Sequence, residues 1–176
     1  MDADLEDDLR RIIAAWGSEQ ALYEFLTRQA SALTTAICGA NVPVPGIQVV
    51  PSFFAKGILG GGPRRSGEYE PASGDISALI SLFPSTCGNE GTTRRALAHE
   101  LIHHWEVTMP ETAGDPPYPD DADSAIAGPF SDATREKRWR NGHPPRFIGK
   151  ASVVAQMLGI SLQHMLVQAQ HRSRQR

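Results

Sequence analysis

Apolar positions recur with helical spacing near both ends of the chain and in one central stretch, and short strand-like runs lie between them. Residues 3–16 and 18–38 read as two helices. In the second, Leu22, Phe25, Leu26, Gln29 and Leu33 fall near a 3.6-residue period, Ser18 is placed to cap the start and Gly39 to end it. Ile47-Gln48-Val49-Val50 reads as a short strand, Gly67-Glu68-Tyr69-Glu70 as a second, and the apolar run 76–83 as a third that Pro84 ends. Between the first two, residues 55–67 are rich in glycine and basic side chains. Gly60-Gly61-Gly62-Pro63 lacks the Gly-Lys-Ser/Thr ending of a phosphate loop, so this stretch is expected to be a loop or hairpin region.

Ala98, Leu101, Ile102 and Trp105 then fall at i, i+3, i+4 and i+7, which predicts a helix over about 92–107 with a threonine after Gly91 as its cap. Residues 108–142 carry many Pro, Gly and Asp and no clear period. A loop of that length inside a compact domain is usually functional or disordered. Pro144-Pro145 suits a helix start, 146–157 reads as that helix, Gly159 interrupts it, and Ser161 is placed to cap a last helix to about 170. Helices, a small sheet, a central helix, a loop and closing helices make an α+β order, expected as one domain over 1–176.

Composition adds mainly exclusions. The net charge of −3 gives no global basic footprint for nucleic acid. No apolar run approaches the roughly 18 residues of a membrane span, and the acidic start, with Asp2, Asp4, Glu6, Asp7 and Asp8, does not resemble a secretory signal. An intracellular, cytoplasmic protein is the expectation. Cys38 and Cys87 lack the spacing of a metal knuckle and are read as small buried apolar residues rather than a disulfide.

The chemistry lies in the central helix, in His99-Glu100-Leu101-Ile102-His103. Residues i and i+4 lie on one helix face, so two imidazoles can grip one metal ion. Glu100, one step round, is then placed as general base for a metal-bound water. The helix angles set His99 and His103 beside the apolar stripe and Glu100 further round, toward a cleft.

A catalytic zinc usually takes a third protein ligand. Downstream candidates are His104, Asp115, Asp120, Asp121, Asp123, Glu136, His143, His164 and His171. His104 lies about 100° round the helix from His103 and reads as a surface histidine or one behind the ligands. The metzincin continuation fails, because Glu106 and Met109 stand where that pattern has glycine and histidine. Glu106, Glu111 and Glu136 sit in no helix pattern like that of the thermolysin glutamate. His143, at the mouth of the helix after the long loop, is the preferred choice; its alternative is a turn or cap histidine.

These segments resemble the SprT-like (Spartan-related) zinc metallopeptidases. The likeness rests on the helix Ala96–Trp105, on Gly142-His143-Pro144-Pro145-Arg146-Phe147 with Val153, Met157, Leu158 and Gly159 after it, and on the hairpin-like stretch 67–83. Together they cover roughly residues 67–160. The resemblance implies a zincin-like domain whose small antiparallel-edged sheet packs on the HExxH helix. It implies Zn²⁺ held by His99, His103 and His143, Glu100 as catalytic base, and a polypeptide substrate cleaved with little sequence preference. An exposed sheet edge next to the metal helix would take the peptide as an added strand. His103 and His143 are 40 positions apart, longer than the family's usual interval, and the excess reads as an insertion near the cleft. The family's C-terminal zinc ribbon and partner-binding tails have no counterpart here.

Two further readings follow from the residues. Arg64, Arg65, Arg94, Arg95, Arg135, Lys137, Arg138, Arg140 and Arg146, with Trp139 among them, are candidates for a basic rim on single-stranded DNA, against a plain solvated face. A catalytically silent metal-binding scaffold is the other, and Glu100 argues against it, since a structural site needs no general base. Tyr118, His104 and the loop arginines are the candidates for stabilising an oxyanion.

Overall fold

The computed structural model describes residues 3–50, 67–123 and 143–166. Helices α1 (Ala3–Trp16) and α2 (Glu19–Cys38) are followed by strands β1 (Gly46–Val49), β2 (Gly67–Glu70) and β3 (Leu79–Leu82), and then by a 3₁₀ turn at Pro84–Thr86. Helices α3 (Glu90–Thr108), α4 (Pro145–Leu158) and α5 (Leu162–Leu166) complete the order. The architecture is α+β. No helix among the described residues is long and apolar enough to cross a membrane.

Helix boundaries follow local chemistry. Ser18 Oγ accepts the amide of Ala21, and Gly39 ends α2 at φ 101°, a conformation that glycine adopts without steric cost. Pro145 opens α4, where a missing N–H costs nothing, and Gly159 closes it in the left-handed region at φ 67°. Helix α3 starts earlier than the sequence pattern suggests. Its cap is Asn89, whose Oδ1 accepts the amide of Thr92, so the two threonines are already inside the first turn. Ser161 Oγ accepts the amide of His164 at the head of α5; the rest of the expected last helix lies outside the described residues.

The sheet has order β1-β3-β2, with β1 parallel and β2 antiparallel to β3. It is therefore mixed, with one antiparallel edge. The run 76–83 contributes a shorter strand than expected: Ile76 is in an isolated bridge with Ser73 and is well exposed, and the ladder begins at Leu79. β3, the strand just before the metal helix, is the middle strand, and the edge strand that packs on that helix is β2. Ile80 and Leu82 have no exposed surface, consistent with neighbours on both sides.

Helix α3 runs through the centre. It packs on α2, β2, β3, α4 and α5. Leu97, Leu101 and Ile102 face a core shared with Leu22, Leu26, Ile80, Leu82, Phe147 and Val154. Burial extends well beyond one stripe, taking in Thr93, His99, Glu100 and His104 as well. Cys38 and Cys87 are free thiols buried in this core, and burial pushes both up to about 11.

Candidate metal centre

His99 and His103 stand one turn apart on α3, and His143 lies two residues before α4, next to its cap Pro144. Packing of α4 across α3 brings the three rings together. Their centroids lie 5.3 Å (His99–His103), 5.2 Å (His99–His143) and 5.3 Å (His103–His143) apart, a nearly equilateral triangle. One nitrogen from each falls within 4.8 Å of the others. Three histidines are thus placed close enough to hold one metal ion, and among the described residues no other group of His, Cys, Asp or Glu side chains is.

The three imidazoles suit a metal ion, and one pair of their nitrogens has tetrahedral spacing. Nε2 of His143 lies 3.3 Å from Nε2 of His99. An ion about 2.0–2.1 Å from each of two imidazole nitrogens in tetrahedral geometry holds them about 3.3–3.4 Å apart. The tautomer of His99 is also fixed. Its Nδ1 is 3.1 Å from the carbonyl oxygen of Met165, which accepts only, so Nδ1 carries the proton and Nε2 presents its lone pair to the site. On His103, Nδ1 is 3.8 Å from Glu106 Oε2, too far for a hydrogen bond.

Electrostatics keep His99 in the ligating form. Burial, then the neighbouring His143 and His103, pull its pKa down to about 3, so the ring is neutral at any ordinary pH. The floor under the three rings is Phe147, with no exposed surface and its ring centroid 5.3, 4.4 and 4.5 Å from those of His99, His103 and His143. Phe147 lies one turn beyond His143 on α4, a placement that its apolar neighbours in sequence did not distinguish from ordinary core.

Glu100 is buried, at 2 % exposure, where β2 crosses α3. A β-carbon on Gly67 would sit 2.9 Å from Glu100 Oε1, 3.0 Å from its Cγ and 3.1 Å from Leu82 Cδ2. The bare backbone of Gly67 therefore makes the room that the carboxylate occupies. Glu100 is thus buried between α3 and β2.

His104 is not a ligand and not a surface residue. It is buried under β2, one turn on from Glu100 along the same face of α3, with Nε2 3.0 Å from the carbonyl of Pro43 and Nδ1 3.0 Å from the hydroxyl of Tyr69. The carbonyl accepts only, so Nε2 donates to it and Tyr69 donates to Nδ1. Burial lowers the pKa of His104, consistent with a neutral ring.

The other ligand candidates are placed elsewhere. Asp115 pairs with Arg146, whose hydrogen bond holds its carboxyl below the usual range. His164 bonds Ser161, and Asp123 accepts from Tyr118, which ties up that hydroxyl as well. Asp120 and Asp121 are outside the histidine group; Glu136 and His171 lie outside the described residues.

Arginines proposed for a basic rim turn to the fold where they are described. Arg94 donates to Gln29, Arg95 to the carbonyl of His164, and Arg146 to the end of α3. Arg64, Arg65, Arg135, Lys137, Arg138, Trp139 and Arg140 lie outside the described residues.

No family model, no curated protein and no solved structure matches the chain.

Proposed function

We propose that this protein is a zinc-dependent metallopeptidase of the zincin type, with a SprT-like arrangement of ligands. The observation that carries the reading is the convergence of His143 on the His99–His103 pair while Glu100 lies on the same helix turn, buried beside β2. A merely structural site has no use for a buried carboxylate next to its ligands. Zinc suits a site of three imidazole donors. When bound it supplies Lewis acidity and brings the pKa of a water toward neutrality.

The chain's own residues do the rest. Met165 and Phe147 hold the rings in orientation, the first through the Nδ1 proton of His99 and the second by packing. Glu100 takes a proton from the attacking water and delivers it to the departing amine. β2 is hydrogen-bonded on one side only among the described residues, and it passes directly over Glu100. A peptide added along the side of β2 away from β3 would be held through its backbone, in keeping with a tolerance of sequence.

Glu100→Gln separates chemistry from metal binding. The variant should keep one zinc per chain by elemental analysis and lose cleavage of an unfolded polypeptide such as casein by at least about a hundredfold. Full cleavage by the zinc-loaded variant would remove Glu100 from its role. A wild-type chain that holds zinc but cleaves nothing would leave a metal-binding scaffold.

A further inference from the structure

One side chain joins the two helices that carry the ligands at a fixed distance from the ligand triangle. Arg146 lies three residues after His143, and Glu106 three residues after His103, so the guanidinium meets α3 one turn beyond the ligands on both helices. Nη1 donates to the carbonyl of Glu106 at 2.9 Å, and Nη2 to the carbonyls of Met109 at 2.9 Å and Pro110 at 3.2 Å. Nε donates to Asp115 Oδ2 at 2.6 Å. The guanidinium carbon stacks 4.2 Å from the centroid of Trp105, which is itself almost fully buried. Carbonyls at a helix C-terminus have no partner within the helix and carry partial negative charge, so a forked cation there is doubly matched.

His143 needs such a device. It precedes the first residue of α4 and therefore lies outside that helix's own hydrogen-bond ladder. Its position against His99 and His103 depends on how the head of α4 docks on the tail of α3. The segment carrying Asp115 is pressed onto α4 at Gly149, where a β-carbon would clash with the carbonyl oxygens of Pro116 and Pro117. Asp115, Arg146 and the end of α3 thus form one clamp.

We infer that Arg146 is a positioning residue for the metal centre: its fork on the last turn of α3 sets the distance from His143 to the other two ligands. The inference rests on the three histidines binding a metal. Lysine keeps the charge but cannot reach several acceptors in a plane, so it restores the centre only in part.

The test loads wild type, Arg146→Lys and Arg146→Met with Co²⁺, whose visible absorption reports ligand geometry, and measures affinity by competition with a chelating dye. Circular dichroism checks the fold. Both variants should bind at least about tenfold more weakly, Arg146→Met more so than Arg146→Lys, and at saturation their visible bands should shift or lose intensity. If Arg146→Met does not fold, Arg146→Lys and Asp115→Asn carry the same criteria, with a smaller loss for Asp115→Asn. Folded variants with wild-type affinity and spectrum would overturn the inference, even if they melt earlier, because a mere strut would do no more. Wild type that takes up no Co²⁺ would overturn the metal centre itself and this inference with it.

Discussion

At the residue scale, the most consequential state is the neutral ring of His99. Burial pulls its pKa from about 6.5 to about 3, while the unfolded chain keeps the ordinary value. Below pH 6.5 the unfolded state therefore binds a proton that the native state refuses. Stability from this group is complete above that value and is lost as pH falls toward 3. Between pH 7 and pH 5 the loss from His99 alone is about 2 kcal/mol. Urea unfolding of the metal-free protein at the two pH values should show a difference of that order, and His99→Gln should shrink it by the same amount. An unchanged difference in the variant would mean that His99 titrates in the native state like an exposed histidine. That His99 and His103 stand side by side was legible because i, i+4 spacing is a local property of a helix. The carbonyl of Met165 and the ring of Phe147 were not, because the partners of a ligand come from other elements. His104 was misplaced for a related reason. An angular argument on one helix cannot tell that the face of His104 is also covered, here by β2 and the stretch around Pro43.

At the scale of elements, the unit that matters is β2 on α3. Gly67 leaves room for Glu100, and two residues on, Tyr69 donates to His104, which donates to Pro43. This chain pins the height of β2 along the helix and so the space above the carboxylate. Gly67→Ala forces its β-carbon against Glu100 and Leu82. The side chain that can yield is the end of Glu100, and moving it displaces the proposed base. The expected outcome is retained zinc, a nearly unchanged KM and a kcat lower by roughly ten- to a hundredfold. Gly114→Ala is the control, since a β-carbon there meets only Thr112 Oγ1 at 3.8 Å. Equal activity in both variants would show that β2 does not constrain Glu100. Strands and helices were recognisable because their signals are local: Ser18, Gly39, Pro145 and Gly159 mark ends in the sequence itself. Strand order was not. Nothing in 67–70 or 76–83 states which strand takes neighbours on both sides, and the parallel partner β1 comes from more than thirty residues before β3.

At the scale of the whole molecule, a metal on His99, His103 and His143 cross-links the middle of the chain to its last third. Two ligands lie on α3 and the third follows the long segment after it, so the ion closes a loop that the unfolded chain would leave open. The ligands converge only when α4 is docked, hence a bound ion favours the native state over the unfolded one. A ligand present at a thousandfold its Kd adds about 4 kcal/mol to stability, and in a protein of this size 1 kcal/mol moves Tm by about 2–4 °C. Removing zinc with a chelator should therefore lower Tm by roughly 10 °C, and re-adding zinc should restore it. His143→Ala should start near the metal-free Tm and gain little from zinc, since two imidazoles on one helix no longer tie α3 to α4. A His143→Ala protein that gains as much as wild type would place the third ligand elsewhere. A wild type indifferent to the chelator, although loaded, would mean that the unfolded chain holds the ion as tightly as the native state does, so that the ligands do not depend on the docking of α4 to come together.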